Sequence, residues 1–261
     1  MPVLFEEMTR EQIKAIAPNA IAVMPTAATE QHGPHMAVGT DTLLVSTVAA
    51  RAAESAAGSV PVVVTPPLAF GSSHHHIPFG GTLSLTSNTF IEVVREVTVG
   101  LAKTGFRKIA ILNGHGGNSD HVGVAGQDLV NRLGQPVTVA SCNYWDLTRD
   151  ALVEKGLIEG GRVPGHAAHF ETSLVMALRP YWVDAEALAK VEDQSNAAGG
   201  LDVDLTGAVV QTYGTFQAGP GHTDNPADAT PELGNAILEV IVGQVAQFYR
   251  NFNQVLGPTL D

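Results

Sequence analysis

Short runs rich in valine and isoleucine alternate along this chain with segments of helical periodicity. The runs are too short for helices and are typical of buried strands, at 21–25, 60–67, 108–114 and 136–145. Helices are expected over 42–57, from an N-cap at Asn88 to Thr104-Gly105, over 120–133, and in a final helix with Leu233, Ile237, Ile241, Phe248 and Phe252 on one face. This alternation predicts an α/β fold, a layered α/β/α arrangement with a mainly parallel sheet between helices.

We expect one domain over residues 1–261. With 44% hydrophobic and 15% charged residues the chain can bury a full core, and no linker-like or highly charged segment divides it. The stretch 193–230 is rich in Gly, Asp and Pro and shows little periodicity. We therefore expect it to run as a long excursion over the surface or over the functional site.

Charge and cysteine content narrow the expected partners. The net charge is −12 and no cluster of Lys or Arg occurs, so neither nucleic acid nor an anionic membrane surface is expected. No apolar run approaches the roughly twenty residues that a membrane span needs. With Cys142 as its single cysteine and no signal-peptide pattern at its start, the chain is expected to be a cytoplasmic protein that acts on a small molecule.

Polar clusters follow two of the predicted strands. Glu30-Gln31-His32 comes after the strand at 21–25, and the glycine-rich NGHGGN at 113–118, which contains His115, follows the strand that begins at 108. Parallel sheets bind their ligands beyond the carboxyl ends of the strands. Glycines let the backbone pass close to a ligand, so we predict a functional site at this edge, although a simple glycine turn would also explain His115.

The residue types at that edge favour a divalent metal ion, because imidazole suits Zn²⁺ and carboxylates suit Mn²⁺ and Mg²⁺. The candidate ligands are Glu30, His32, Asp41 and His115. In an extended segment Glu30 and His32 would face one centre, and the Gly33-Pro34 turn would let Asp41 fold back towards them. A thiolate site is excluded. The alternative for Asp41 is that it only caps the helix that begins at 42.

Two further stretches carry histidines. In GHAAHFETS, residues 165–173, Glu171 begins an apolar helical stretch that His166 and His169 precede. Glu171 alone would serve the helix dipole, and we expect no role for His169. In GSSHHHIPFGGTLSL, residues 71–85, a glycine-rich loop contains His74, His75 and His76, of which at least one is expected to be only solvated.

Together these stretches resemble the motifs of the creatininase family of metal-dependent amidohydrolases. The family pattern has E-Q-H-G-x-H and a later D that opens a helix, then G-x-S-x-x-H-x-x-F-P-G-T, N-G-H-x-x-N and G-H-x-x-x-x-E-T-S. The matching segments here are Glu30–His35 with Asp41, Gly71–Thr82, Asn113–Asn118 and Gly165–Ser173. One such motif is a weak signal, but four in order over most of residues 20–180 are a specific one.

The resemblance implies a hydrolase with two divalent ions per chain, Zn²⁺ and/or Mn²⁺ with iron as a further candidate. These ions would activate water to cleave a C–N amide bond of a small molecule. Asp41 would bridge the ions, Glu30 and His115 would complete one site, and His32 and Glu171 the other. Three carboxylates and two neutral imidazoles carry about −3, which two dications nearly balance.

The resemblance also assigns residues around the metals. His166 matches a catalytic histidine of the family and would carry a proton to the leaving group, because an amide nitrogen leaves poorly without one. Glu171 is counted as catalytic as well as a ligand. Trp145 matches an aromatic position over the substrate, and we assign Tyr144 and His76 to substrate binding with it. The family further implies a homo-oligomer, a homohexamer.

The chain departs from the family pattern at two places. Creatininase carries a glutamate in its N-G-H motif where this chain has Gly117, and Glu171 is the natural replacement for that carboxylate. The segment Phe79-Gly80-Gly81-Thr82 replaces F-P-G-T, which loosens a wall of the pocket, so creatinine is not the expected substrate. The family also includes deformylases, a peptide-processing enzyme and hydrolases of lactones or cyclic sugar-like ketones, among which the motifs do not choose.

Two other readings of the same residues stay open. A mononuclear Fe(II) oxygenase would use His32, Asp41 and His115 as a triad of two histidines and one carboxylate, but it leaves Glu30 and Glu171 unexplained. A metal-binding protein without catalytic activity would instead have a saturated site with no open position for water.

Overall fold

The computed structural model describes residues 3–158, 165–194, 212, 214 and 216–258. Four parallel strands form its sheet, in the order β2-β1-β3-β4. They are β1 (Ile21–Thr26), β2 (Val62–Val64), β3 (Lys108–Asn113) and β4 (Thr138–Asn143). The predicted parallel sheet is therefore confirmed. Strand β2 is shorter than the predicted 60–67, because Pro61, Pro66 and Pro67 flank it and lack the N–H that a ladder needs.

Eight α-helices occur in the described residues. They are α1 (Arg10–Ile16), α2 (Thr40–Ala56), α3 (Ser87–Thr104), α4 (Ser119–Gln127), α5 (Arg149–Glu154), α6 (His169–Leu178), α7 (Ala185–Leu188) and α8 (Pro231–Gln254). Short 3-10 turns include His74–Phe79 and Gly116–Asn118, and a π-helical turn, Asp128–Arg132, extends α4 over most of the predicted 120–133. No described helix combines the length and the apolar character that a membrane crossing requires.

Two predicted helix starts were wrong by two residues. Helix α3 begins at Ser87, and its N-cap is Thr86, whose hydroxyl accepts the Thr89 N–H at 3.2 Å, so Asn88 is not the cap. Helix α2 begins at Thr40 after an N-cap at Gly39, which places Asp41 inside the first turn. The capping alternative for Asp41 is therefore excluded. Helix α3 ends at Gly105, where φ is 116°, as the sequence predicted.

The two faces of the sheet bury alternate residues of each strand, as the period of two requires. Ile21 and Val23 face a core that α2, α6 and α8 cover, whereas Ala22 and Met24 face α1, α3 and α4. The apolar face predicted for the final helix packs on the first core, with Ile237, Ile241 and Phe252 buried and Leu233 and Phe248 partly buried. The layered α/β/α architecture is thus confirmed.

The strand register brings the carboxyl ends of β1, β3 and β4 into line. Thr26 lies opposite Asn113, and Asn113 lies opposite Asn143. The Thr26 hydroxyl donates to Asn113 Oδ1 at 3.0 Å, and Asn113 Nδ2 donates to Asn143 Oδ1 at 2.7 Å. This hydrogen-bonded row, with Thr26 and Asn113 buried and Asn143 half-buried, marks the edge of the sheet from which the segments with Glu30 and His115 depart.

Candidate metal centre

The turn after β3 is held by one asparagine. Asn113 Oδ1 accepts the His115 N–H at 3.2 Å, and Asn113 Nδ2 donates to the His115 carbonyl at 2.6 Å. Between them, Gly114 lies so close to α2 that a Cβ atom there would meet Val45 Cβ at 2.6 Å. Only glycine permits this approach, which brings His115 next to the first turn of α2 and thus to Asp41.

The five predicted metal ligands meet at this edge of the sheet. All five side chains are buried: Glu30, His32, Asp41, His115 and Glu171. One ligand atom of each of Glu30, Asp41 and His115 lies within 4.8 Å of the others, and we call these residues the Glu30 cluster. The same holds for His32, Asp41 and Glu171, the Glu171 cluster. Asp41 belongs to both.

The two oxygens of Asp41 face different histidines. Oδ1 lies 3.0 Å from His32 Nε2, and Oδ2 lies 3.2 Å from His115 Nδ1. Oδ2 is buried and accepts no hydrogen bond. A buried carboxylate oxygen without a hydrogen bond is costly unless a cation compensates it, so this atom fits a metal ion.

Backbone carbonyls orient both histidines. His115 Nε2 donates to the Ser72 carbonyl at 3.1 Å, and His32 Nδ1 donates to the Glu30 carbonyl at 3.1 Å. A carbonyl only accepts, so these two nitrogens carry hydrogen, and the other nitrogen of each ring points at the carboxylates. Histidines that bind metals in proteins are held in this way by their second nitrogen.

The outer carboxylates are also held by hydrogen bonds. The Ser73 hydroxyl donates to Glu30 Oε2, and the Ala167 N–H donates to Glu171 Oε2 at 2.7 Å. Ser73 was not among the predicted site residues, although it stands at the serine of the G-x-S motif. Each carboxylate keeps an oxygen for a cation.

In the Glu30 cluster, each charged side chain stabilises the charged form of its oppositely charged neighbour. Burial alone would raise the pKa of Glu30, but the adjacent His115 outweighs it and the pKa is lowered. Burial alone would lower the pKa of His115, but Glu30 and Asp41 hold it well above its usual value. For Asp41, the two histidines outweigh burial and bring the pKa to about 2.

In the Glu171 cluster, burial weighs more against the neighbouring charges. Burial raises the pKa of Glu171 to about 7, and the attraction of His32 does not overcome it. The His32 ring lies 3.9 Å from Glu171 Oε2, farther than from Asp41. Burial opposes the charge of His32, but Asp41 outweighs it and raises the pKa of His32 to about 10. An ion entering this cluster must therefore displace protons from both partners.

His166 lies beside the Glu30 cluster. Its Nδ1 is 3.6 Å from Glu30 Oε1, and its ring centre is 4.6 Å from that of His32. Burial, together with His32 and His76, holds the pKa of His166 well below its usual value. The ring is therefore neutral at physiological pH and can accept a proton.

Two aromatic rings besides His32 lie near His166, and a third, His75, lies beside His76. His76 stacks on His166 at 4.1 Å between ring centres, Phe216 lies at 6.2 Å, and His75 lies 4.1 Å from His76. Glu30 also lies close enough to His75 and His76, and to His32 and His166, for either set of three residues to hold a metal ion. Phe216 belongs to the stretch 193–230, which was predicted to cover the surface or the site. Most of that stretch, 195–211 with 213 and 215, lies outside the described residues.

The remaining histidines of the motifs lie farther from the ligands. His74 is exposed, and its Nδ1 lies 2.9 Å from the Ser84 hydroxyl. His169 is the half-buried first residue of α6. Neither belongs to a cluster that could hold a metal among the described residues.

Tyr144 and Trp145 follow β4 and are buried in the core, with ring centres 5.2 Å apart. Burial, with Glu171 and Asp41 nearby, raises the pKa of Tyr144 well above its usual value. Tyr144 thus lies near the metal ligands and stays an uncharged phenol. Their assignment to substrate binding stays a prediction.

Three glycines stand where this chain departs from the creatininase motifs. A Cβ at Gly117 would meet the Ser72 carbonyl oxygen at 2.4 Å and His115 Nε2 at 2.5 Å, so no side chain fits there. Gly80 has φ of 80° and Gly81 has φ of 65°, a conformation that favours glycine. A carboxylate ligand at position 117 is therefore excluded, and Glu171 lies where it can take that part.

Comparison with known proteins gives a consistent set of relatives. The family model described as "Creatininase: Creatinine amidohydrolase" matches residues 6–249. The creatinine amidohydrolase of Pseudomonas putida is 32% identical over 267 residues, covering 94% of this chain and 95% of the relative. The 3-dehydro-scyllo-inosose hydrolase of Thermotoga maritima is 30% identical over 227 residues, covering 84% of this chain and 70% of the relative.

Solved structures agree with this result. A mutant creatininase complexed with creatine matches with a TM-score of 0.81 and 30% identity, covering 97% of this chain and all (100%) of that chain. A mutant creatininase of the Zn-Zn type and a manganese creatininase each match with a TM-score of 0.80 and 30% identity, over 96% of this chain and 98% of theirs.

Proposed function

This chain belongs to the creatininase family, and we propose that it is a hydrolase that cleaves a C–N amide bond of a small molecule with two divalent ions. The observation that carries the proposal is the pair of ligand clusters that share Asp41. Each Asp41 oxygen faces one cluster, and Oδ2 accepts no hydrogen bond. A carboxylate in this position can bridge two ions.

The donor set fits zinc or manganese. Carboxylates and imidazoles bind both metals, and the relatives of known structure include a Zn-Zn and a Mn form. Three ionised carboxylates and two neutral imidazoles carry about −3, which two dications offset. Two ions held there would lower the pKa of a water molecule to about 7 and polarise the substrate carbonyl.

We assign the proton transfer to His166. Its Nδ1 faces Glu30 Oε1, so a water that reacts beside the Glu30 cluster lies within reach of this nitrogen. His166 would accept a proton from that water as the new C–O bond forms. It would then give the proton to the amide nitrogen as the C–N bond breaks, so that the amine leaves uncharged.

Glu171 was predicted to be both a ligand and a catalytic group. Its Oε2 lies 3.9 Å from His32 Nε2, in the cluster that does not contain Glu30. We assign its contribution to holding the second ion. The assignment of His76 to the substrate is supported by its ring, which stacks on His166 at the Glu30 side of the centre.

A second candidate is hydrolysis of a cyclic sugar-like ketone or a lactone by the same centre. It is favoured by the 30% identity to a relative named as a 3-dehydro-scyllo-inosose hydrolase. The loosened Gly80-Gly81 wall and the absence of a side chain at Gly117 also separate this pocket from that of creatininase. We therefore do not expect creatinine to be the preferred substrate.

The test uses the purified chain, stripped of metal with a chelator and then reloaded with Zn²⁺ or Mn²⁺. It is assayed on creatinine, on other cyclic and linear amides, on lactones and on cyclic polyol ketones. The proposal predicts no turnover without metal and amide cleavage after reloading. Turnover of ketones or lactones alone would select the second candidate, and a loaded protein that cleaves nothing would indicate a non-catalytic metal protein.

Three further predictions accompany this function. The protein is expected to be a homohexamer, to be cytoplasmic, and to act on a small molecule without nucleic acid or membrane partners. Their support is the resemblance to the family, the single cysteine Cys142 and the acidic charge of −12. The oligomer is the least constrained of these by the chain itself.

A further inference from the structure

Gln31 lies between two metal ligands in the sequence, and its buried amide contacts four groups. The amide nitrogen Nε2 lies 2.7 Å from His76 Nδ1, 3.1 Å from His166 Nε2 and 2.9 Å from the Gly221 carbonyl oxygen. The amide oxygen Oε1 lies 2.8 Å from the Gly33 nitrogen. This one side chain therefore connects both stacked histidines with the backbone.

Two backbone contacts determine the orientation of the Gln31 side-chain amide. The Gly33 N–H can only donate, so the atom beside it is an acceptor, the amide oxygen. The Gly221 carbonyl can only accept, so the atom beside it is a donor, the amide nitrogen. The Gln31 amide cannot be turned over without breaking both hydrogen bonds, and its orientation does not depend on the histidines.

The amide nitrogen has two hydrogens for three neighbours. One hydrogen goes to the Gly221 carbonyl, and the other goes to His76 Nδ1, the nearer of the two ring nitrogens. His76 Nδ1 is then an acceptor, and the hydrogen of the neutral ring sits on Nε2. That nitrogen faces Glu30 Oε1 at 3.7 Å. In this tautomer Nε2 presents an N–H towards Glu30 and has no lone pair for a metal ion.

His166 receives no hydrogen from Gln31 in this arrangement. Its Nε2 lies 3.0 Å from the Gln31 backbone carbonyl, which only accepts, so Nε2 carries the ring hydrogen. The lone pair of His166 is therefore on Nδ1, which faces Glu30 Oε1 at 3.6 Å. At the same carboxylate oxygen, one ring presents an N–H and the ring stacked on it presents a lone pair.

We infer that Gln31 is a positioning residue: its amide fixes the hydrogen of His76 on Nε2, and its backbone carbonyl fixes that of His166 on Nε2. The inference rests on the proposed function, because a lone pair held at His166 Nδ1 is what proton transfer by this residue requires. The amide is the closer of the two groups that favour this tautomer of His76, since it lies 2.7 Å from Nδ1 whereas the Glu30 carboxylate lies 3.7 Å from Nε2.

Neutron diffraction from crystals of the Zn²⁺-loaded protein in D₂O locates these hydrogens directly. For the wild type we expect deuterium on Nε2 and none on Nδ1 of both His76 and His166. In Gln31→Met the amide is lost, and deuterium on His76 should be shared between its nitrogens. In Gln31→Glu, which keeps the shape but cannot donate, deuterium should appear on His76 Nδ1.

Kinetics give a second readout, with 4-nitrophenyl acetate and 4-nitroacetanilide as probes and zinc content measured in parallel. Both Gln31 variants should lose kcat by about 10- to 100-fold, because the ring of His76, which stacks on His166, is then no longer held by the amide. KM and zinc content should change little. Gln247→Glu, an exposed residue on α8, adds the same charge as Gln31→Glu and should leave kcat unchanged.

Deuterium on Nδ1 of His76 in the wild type would overturn the inference. Unchanged deuterium positions in both Gln31 variants would overturn it as well, because the amide would then not be the group that fixes the protons. If the deuterium positions are as expected but the wild type cleaves no substrate, the proposed function fails and the inference about Gln31 stands.

Discussion

The two ligand clusters share Asp41 but differ in what surrounds them. The Glu30 cluster opens towards three histidines and Phe216, and its charged partners stabilise one another. The Glu171 cluster lies against the core beside Tyr144, and burial raises the pKa of Glu171 to about 7. The same residue types therefore form one cluster that holds one proton near neutral pH and one that holds up to two.

This difference indicates a division of work. His166 faces Glu30 through Nδ1, and we expect proton transfer on that side. The Glu171 cluster meets His166 through the ring of His32, whose centre lies 4.6 Å away, and we expect it to hold an ion and thus to fix Asp41. We expect the ion at the Glu171 cluster to be the more weakly bound, because it must displace more protons.

Replacing Asp41 should have the largest effect, because it removes what the clusters share. Asp41→Asn is expected to lose both ions and to lower hydrolysis by about 10⁴-fold or more, since no activated water remains. Metal analysis and an assay on the same sample check this. Asp120→Asn, an exposed residue in the first turn of α4, is the control and should keep both ions. Full metal content in Asp41→Asn would rule out a bridge.

His166→Ala tests whether the chemistry lies on the Glu30 side. Both ions should remain, and kcat should fall about 10²- to 10⁴-fold, as for the loss of a general acid or base. The loss should shrink along a series of substrates with falling leaving-group pKa, because good leaving groups need less protonation.

The matched control for this variant is His169→Ala, which changes a histidine three residues away and should leave kcat unchanged. If His166→Ala instead loses metal and shows the same proportional loss on every substrate, His166 only supports the loop before α6. The proton transfer assigned to the Glu30 side would then be wrong.

Glu171→Gln should separate the clusters. We expect affinity for one ion to fall by about 10- to 100-fold, with the ion of the Glu30 cluster retained. Equilibrium dialysis against Zn²⁺ measures both affinities. Glu186→Gln, an exposed residue of α7, is a control that should change neither. Simultaneous loss of both ions from Glu171→Gln would show that the clusters are not separable.

The metal affinities of the two clusters of the wild-type protein should depend differently on pH. At pH values below about 7 Glu171 holds a proton, and below about 10 His32 does. An ion at the Glu171 cluster then displaces two protons, so its affinity should fall up to about 100-fold per pH unit between pH 7 and 5.

In the Glu30 cluster only His115 has a raised pKa, whereas the pKa values of Glu30 and Asp41 are lowered. One displaced proton predicts a fall of about tenfold per unit. On acidification the Glu171 ion should leave first, which titrations of metal content from pH 8 to 5 would detect. Equal slopes for both ions would remove the proposed difference.

The sequence predicted the sheet, and it predicted that the candidate ligands meet at one edge of that sheet, because both depend on local patterns. Buried β-branched runs mark strands whatever their partners, and polar residues after parallel strands meet at one edge. The helix starts were wrong because several neighbouring polar residues can cap, and packing selects Thr86 instead of Asn88. The capping alternative for Asp41 was left open for the same reason, and the structure excludes it because Gly39 is the N-cap of α2.

The contacts at the mouth of the site were not predictable in the same way. Phe216 lies in a stretch without periodicity, and its contact with His76 joins residues 140 positions apart in the chain (216 − 76). The sequence assigned no role to Gln31, because its contacts are with the carbonyl of Gly221 and the ring of His76, both far away in the chain. Such contacts leave no repeating pattern in the sequence.

Metal content at saturation tests the central claim most directly. The chain is dialysed to saturation against Zn²⁺ or Mn²⁺, freed of unbound metal, and measured by elemental analysis against its protein concentration. The shared Asp41 predicts close to two ions per chain, falling to one in Glu171→Gln. Consistent recovery of a single ion from the saturated wild-type protein would contradict the account, because the two clusters would then be one site.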